Sequence, residues 1–92
     1  MNAKDYQSAR IGHTVEIEEV SEITPEELAC PCCGQMLRRV RFSADRWHCY
    51  YTQVTVRSWD VEEPERVMVE EFKAHDDCAA DFVDAMKKGR AA

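Results

Sequence analysis

Two short motifs, far apart in the chain, constrain its fold more than any other feature. Cys30 and Cys33 flank two residues in the run Cys-Pro-Cys-Cys-Gly, a spacing that lets two thiolates from one tight turn reach one metal ion. Gly34 follows where the backbone must turn sharply, a position that favours a residue able to take positive φ. His75 and Cys78 are spaced in the same way downstream. Together the four ligands make a Cys3His set, a common closed shell for structural zinc.

Other residues leave this ligand set open. Cys32 occupies the variable position inside the first motif, and His48 and Cys49 lie between the two motifs. Adjacent strand residues point to opposite faces, so His48 and Cys49 are not both expected to bind one ion, and Cys49 is expected in the core. A simpler interpretation needs no metal at all. In it Cys78 is a buried helix residue, His75 is a polar residue at the helix start, and the upstream cysteines are free thiols.

The size and composition of the chain favour a metal over disulfides. The sequence has 92 residues, five cysteines and a net charge of -6, which corresponds to one domain over residues 1–92 with a marginal core unless something staples it. No apolar run is long enough for a signal peptide or a membrane helix, and the N-terminus is polar. We therefore expect a reducing cytoplasm, where closely spaced cysteines bind metal more often than they form disulfides.

Hydrophobic periodicity predicts an α+β fold with a small antiparallel sheet of three to four strands packed on a C-terminal helix. The parts are a zinc knuckle at 30–34, a sheet over 36–72 and a helix over 75–88, where apolar residues recur at helical spacing and Gly89 is the expected stop. Weaker signals predict a half-buried strand at 14–18, a short helix at 4–11 and a single helical turn starting at Thr24.

The strand within residues 36–42 has two faces of different character. Met36, Val40 and Phe42 alternate with arginines, so Arg38 shares their face and is expected to extend its charged end past them to water. The remaining arginines, Arg39 and Arg41, lie on the other face, where they could follow a nucleic-acid backbone.

A basic and aromatic segment spans residues 35–51. It carries four arginines against one aspartate, a local net charge of +3 in an acidic chain. Arginine binds phosphate, and aromatic rings stack on unpaired bases. The candidate residues for binding a partner or nucleic acid are Arg38, Arg39, Arg41, Arg46, Trp47 and Tyr50. The alternative is that the arginines only solubilise an exposed sheet while the aromatic side chains pack the core.

Nothing in the sequence favours catalysis. A catalytic zinc keeps an open position for water, whereas a Cys3His shell is full. Paired carboxylates, a serine–histidine set and a phosphate-binding glycine loop are all missing from the sequence. We therefore expect a binding protein with no enzyme activity and no small-molecule substrate. An enzyme that uses Cys30 and Cys33 for redox or hydrolytic chemistry is the least favoured alternative.

Two resemblances add expectations. The motifs Cys30–Gly34 and His75–Cys78 resemble those of treble-clef zinc fingers, although the 41 residues between Cys33 and His75 make a long spacer. As a whole, the short acidic chain resembles phage-encoded anti-CRISPR proteins, in particular inhibitors of type I-F surveillance complexes. That resemblance implies the cytoplasm of a bacterial host cell and docking on the CRISPR RNA-bound complex there. It also implies acidic faces against lysine-rich grooves, contact with guide RNA and a block of target DNA binding. The alternative function is a zinc-finger regulator or adaptor that binds nucleic acid or a transcription factor.

Overall fold

The computed structural model describes residues 10–90. The elements follow in the order β1 (Ile11–Thr24), β2 (Arg38–Ser43), β3 (Arg46–Asp60), β4 (Glu63–Ala74) and α1 (Asp76–Arg90). All strand pairs are antiparallel, so the predicted α+β class, with a four-stranded sheet and one C-terminal helix, is confirmed. The short helix predicted over residues 4–11 lies mainly on 1–9, outside the described residues; Ile11 itself begins β1.

The long strand β3 organises the sheet. One edge of β3 pairs with β1 along its whole length, from Ile11 opposite Asp60 to Thr24 opposite Trp47. The other edge pairs with two strands in succession, β2 against residues 46–50 and β4 against residues 52–60. Because β2 and β4 lie end to end, the protein is elongated, with extents of 51 × 25 × 18 Å, and a gap opens between the two strands.

Strand β3 buries one of its faces before this gap and the opposite face after it. Cys49 and Tyr51 are buried before it, and Val54 and Val56 are buried after it. Side chains alternate between faces with period two, and the register of β1 and β3 has no irregularity, so these two pairs lie on opposite faces of the sheet. Each half of the sheet is therefore covered on one side only, which leaves the other side of each half open.

Helix α1 covers the half of the sheet formed by β3 and β4. Its apolar stripe of Ala79, Phe82 and Met86 is buried, and the ring of Phe82 meets Phe72 edge-on at 5.1 Å between centroids. Phe72 pairs with Val54, which fixes the face on which the helix packs. The helix continues through Gly89, the residue predicted to end it, as far as Arg90.

The start of α1 is fixed by charge and by one side-chain contact. Asp76 and Asp77 lie in its first turn, where carboxylates interact favourably with the positive end of the helix dipole. The Thr52 hydroxyl also donates a hydrogen bond to the Asp76 carboxylate. Because Thr52 lies opposite Ala74 at the end of β4, this contact holds the helix start against the centre of the sheet.

The helical turn predicted at Thr24 is wrong. The Thr24 hydroxyl does accept a hydrogen bond from the Glu26 backbone N–H at 3.1 Å, but no helix follows. Ala29 instead forms an isolated β-bridge with Met36, and the Leu37 N–H donates to the Leu28 carbonyl at 2.9 Å. These pairings satisfy the backbone in a hairpin-like loop that leaves no room for a helix.

The two faces predicted for residues 36–42 are present, and the covered face is the one that carries Leu37 and the arginines Arg39 and Arg41. Leu37 is buried, whereas Met36, Arg38, Val40 and Phe42 are exposed. Leu37 enters the core cluster with Cys30, Cys49 and Tyr51, so the arginine face is the one that turns towards the covered side. The physical reason is volume: one fully buried leucine anchors the strand against the loop, and the arginines beside it then cover an aromatic ring.

Candidate metal centre

The first ligand pair lies in a tight turn. The Cys30 N–H donates to the Gln35 carbonyl, and the Gly34 N–H donates to the Cys30 carbonyl, both at 2.8 Å. Gly34 has φ of 74°, in the left-handed region that glycine takes without strain. The positive φ predicted for Gly34 is confirmed. The turn directs the thiols of Cys30 and Cys33 towards the start of α1.

The second pair lies where β4 passes into α1. His75 immediately precedes the helix, and the Ala79 N–H donates to its carbonyl at 2.9 Å. Cys78 is three residues after His75, so both side chains leave the same side of the first turn. The four ligand atoms of Cys30, Cys33, His75 and Cys78 all lie within 4.8 Å of one another. These are the four residues expected from the sequence, and their arrangement can hold one metal ion.

The orientation of the His75 ring is set by the main chain. Its Nε2 atom lies 2.8 Å from the Met36 carbonyl oxygen, so Nε2–H is the donor and Nδ1 keeps its lone pair. Nδ1 lies 3.4 Å from the Cys33 Sγ atom. Metal-binding histidines commonly donate their second ring N–H in this way. Sequence reasoning missed Met36, because no side chain signals a contribution from a carbonyl.

The thiols of the cluster have strongly different proton affinities. Burial raises the pKa of the Cys30 thiol, but hydrogen bonds from the backbone N–H groups of His75, Cys33 and Cys32 outweigh it and lower the pKa to about 6. Burial, followed by hydrogen bonds with Cys30 and Cys33, raises the pKa of Cys78 to about 12. The hydrogen bond to the Met36 carbonyl raises the pKa of His75. Of these two thiols, Cys30 therefore loses its proton first as the pH rises, and Cys78 last.

The alternative ligands lie outside this group of four, although the Cys32 thiol is close to that of Cys30. Cys32 is exposed and Cys49 is buried, the latter inside the core cluster as predicted. His48 bonds through Nδ1 to the Tyr50 hydroxyl at 3.1 Å. In the part of the chain that the structure describes, Cys30, Cys33, His75 and Cys78 form the only group of three or more potential ligands close enough to share an ion.

The basic and aromatic segment is divided between two faces. On the covered face, the guanidinium carbons of Arg39 and Arg41 lie 4.0 and 4.7 Å from the Trp47 ring centroid, and Glu27 pairs with Arg39 at 3.4 Å. Arg39 is half-buried and Arg41 is exposed. Both guanidinium groups lie against the Trp47 ring, and the expected role of these arginines in binding nucleic acid stays a prediction. On the opposite face, Arg38 lies 5.5 Å from the centroid of Tyr50.

Comparisons with known proteins give no family. No protein-family model, curated protein or solved structure matches the chain. Among residues 10–90, no helix has the length and apolar character needed to cross a membrane.

Proposed function

We propose that this chain is a non-enzymatic binding protein whose fold is stapled by one structural zinc ion. The observation that carries the proposal is the meeting of four ligand atoms within 4.8 Å at the gap between β2 and β4. Two ligands come from the turn at Cys30–Gly34 and two from the start of α1, so one ion would join the loop, the sheet edge and the helix.

The geometry and chemistry of the ligand set fit zinc. Zinc–sulfur bonds of about 2.3 Å and zinc–nitrogen bonds of about 2.0–2.1 Å give a tetrahedron with edges of roughly 3.5–3.8 Å. The separation of 3.4 Å between Cys33 Sγ and His75 Nδ1 is close to that edge. Thiolate-rich sets favour zinc over hard cations. The His75 hydrogen bond to Met36 supplies the outer contact that such histidines usually make.

A four-ligand shell favours a structural role. Each position of a tetrahedral ion is taken by a side chain, which leaves none for water or substrate. Structural zinc contributes about 10–16 kcal/mol of apparent binding free energy in small fingers, comparable with the whole stability of a domain of this size. In this role the ion stabilises the fold, and function lies on the surfaces that the fold presents.

The acidic open face of the sheet supports a more specific partner. Glu16 and Glu18 on β1 and Glu71 on β4 lie across Thr55 and Gln53 of β3 on one face, and they line a shallow groove. Glu16 pairs with Arg57 at 3.1 Å, so Glu18 and Glu71 are the carboxylates of this row that would attract a lysine-rich surface, including one built to hold nucleic acid. We therefore propose docking on a CRISPR RNA-guided surveillance complex, with loss of target DNA binding, as the specific function.

The experiment adds zinc-loaded protein to a purified type I-F surveillance complex and measures both co-elution and target DNA binding. Co-elution and lost DNA binding are expected. Charge reversal of Glu18 and Glu71 to lysine should weaken co-elution, whereas the same reversal of Asp81 and Asp84, exposed on α1, should not. Full DNA binding in the presence of excess protein would overturn the inhibitor function. It would leave a regulator or adaptor that binds nucleic acid or a transcription factor as the alternative.

A further inference from the structure

One open sheet face, termed here the platform, lies on the side of β3 opposite Trp47. His48 of β3 lies between Ile23 of β1 and Val40 of β2, and Tyr50 lies between Ser21 and Arg38. Directly opposed residues in antiparallel strands share a face. The platform therefore consists of two adjacent rows of three side chains, formed by Ile23, His48, Val40, Ser21, Tyr50 and Arg38.

The platform is apolar, aromatic and open to solvent. Ile23 is 44% exposed, Val40 54%, and Phe42 at the adjoining end of β2 60%. Helix α1 covers this side of the sheet only in the other half, where it packs on Phe72. Exposed apolar side chains that form a contiguous patch mark a contact surface more often than scattered ones do.

The platform aromatics are held in place before any partner arrives. The rings of His48 and Tyr50 lie 4.5 Å apart between centroids, and the Tyr50 hydroxyl bonds to His48 Nδ1 at 3.1 Å. The guanidinium of Arg38 lies over the same tyrosine ring. Aromatic rings on an open sheet, flanked by arginine, are a common platform for stacking unpaired bases.

Two arginines beside the platform form no ion pair with any of the residues that the structure describes. Arg10, Arg39, Arg57 and Arg66 each pair with a glutamate. Among residues 10–90, Arg38 and Arg46 have no carboxylate within 4.0 Å, and neither does Arg41 on the opposite face. Arg46 follows the turn before β3, two residues from His48 and thus on the same face. Two arginines without carboxylate partners beside aromatic rings match a polyanion that carries bases.

Carboxylates limit the platform at its other end. A cleft of about 590 Å³ beside Tyr50 and Arg38 is also lined by Glu19, Asp76 and Asp77. These groups repel phosphate but accept hydrogen bonds from base amino groups and ribose hydroxyls. A bound strand would therefore place its phosphates near Arg38 and Arg46 and direct base edges towards the cleft.

We propose that the platform binds single-stranded nucleic acid, with bases stacked on Tyr50 and His48 and phosphates paired with Arg38 and Arg46. This inference rests on the proposed function as a binding protein and names the chemistry of one partner. It replaces Arg39, Arg41 and Trp47, which the sequence put forward, by residues of the opposite face.

The test is fluorescence anisotropy with labelled twelve-residue oligo(U) and oligo(dT) on zinc-loaded protein at 50 and 200 mM salt. Binding of either strand by the wild type is expected. Substitution of Tyr50 by alanine, or of Arg38 and Arg46 together, should weaken binding about tenfold or more. Loss of the two arginines should also flatten the salt dependence, by about 0.7 in logarithmic slope per lost phosphate contact.

The matched control replaces Arg39 and Arg41 with alanine, which removes the same charge from the other face. Binding by this control variant within about twofold of the wild type is expected. If its melting temperature falls, a variant in which Arg57 and Arg66, which are remote on the sheet, are replaced by alanine serves as the control. Equal losses in both double variants would overturn the proposal, as would failure of the wild type to bind either strand. A dimer that buries Val40 would also overturn it. These measurements do not depend on zinc content or on co-elution with a protein complex. A failure of this proposal is therefore distinguishable from a failure of the proposed function.

Discussion

The Nε2 atom of His75 donates to the carbonyl oxygen of Met36 across 2.8 Å. Met36 also forms the β-bridge with Ala29 that closes the loop around the first cysteine pair. The same hairpin-like loop therefore supplies two candidate ligands and orients the third. This link explains how residues separated by a long sheet reach one point, since the loop and the helix start meet at the gap between β2 and β4.

Metal binding should release protons. At pH 8 the Cys30 thiol, with its pKa of about 6, is already deprotonated, whereas Cys78, with a pKa of about 12, keeps its proton. Zinc binds the thiolate, so it must displace that proton, and the apparent affinity rises with pH. Isothermal titration at pH 8 in buffers of different ionisation enthalpy should give different heats, equivalent to at least about one proton released per ion. Identical heats in all buffers would contradict this description of the cluster.

The contact between α1 and the sheet should dominate the packing energy. Phe82 is 6% exposed and meets Phe72 edge-on, so Phe82→Ala should lower the free energy of unfolding by about 3–5 kcal/mol in zinc-loaded protein. Phe42 is 60% exposed, and Phe42→Ala should change the free energy of unfolding by about 0.5 kcal/mol or less. Urea titration followed by tryptophan fluorescence measures both values. Equal effects of the two substitutions would show that the helix does not pack as described.

A cross-sheet ion pair should give a small, pH-dependent stabilisation. Lys73 Nζ donates to Glu22 Oε1 at 2.6 Å, and this hydrogen bond raises the pKa of Lys73 above its usual 10.5. A raised pKa means that the stabilisation is complete below pH 10.5 and is lost as the pH rises through the folded-state value. Both side chains are partly exposed, so Glu22→Gln should cost about 0.5–1 kcal/mol at neutral pH.

The control for that pair is Glu18→Gln, on the same face of β1. Urea titrations at pH 8 and at pH 11 should show a deficit for Glu22→Gln that shrinks at the higher pH, with little change for Glu18→Gln. A deficit that stays constant between the two pH values would contradict the assigned role of Lys73.

The sequence predicted the elements with local signals. The apolar stripe of Ala79, Phe82 and Met86 indicates a helix wherever it lies in a fold. The spacing of the two motifs identified the four candidate ligands because few residue types bind a metal ion such as zinc. Both predictions depend on neighbours in the chain, which a sequence shows directly.

The faces of β2 could not be predicted in the same way. Alternation shows that Leu37 and Val40 point to opposite sides, but not which side the fold covers. That choice depends on the loop before β2 and on the switch of the buried face between Tyr51 and Thr52, which arises from strand pairings distant in sequence. The Met36 carbonyl was missed for the same reason. Every residue carries the same backbone acceptor, and only the position of Met36 in the fold distinguishes its carbonyl from the others.

The most direct test of a zinc-stapled fold is the zinc content of purified wild type, Cys33→Ser and Cys32→Ser, with thermal unfolding of each in the presence and absence of a chelator. We predict about one zinc ion per chain in the wild type and in Cys32→Ser, little or none in Cys33→Ser, and a marked fall in melting temperature when zinc is removed. A wild type that contains no zinc and melts unchanged in excess chelator, or a Cys33→Ser protein with full zinc content, would contradict the account.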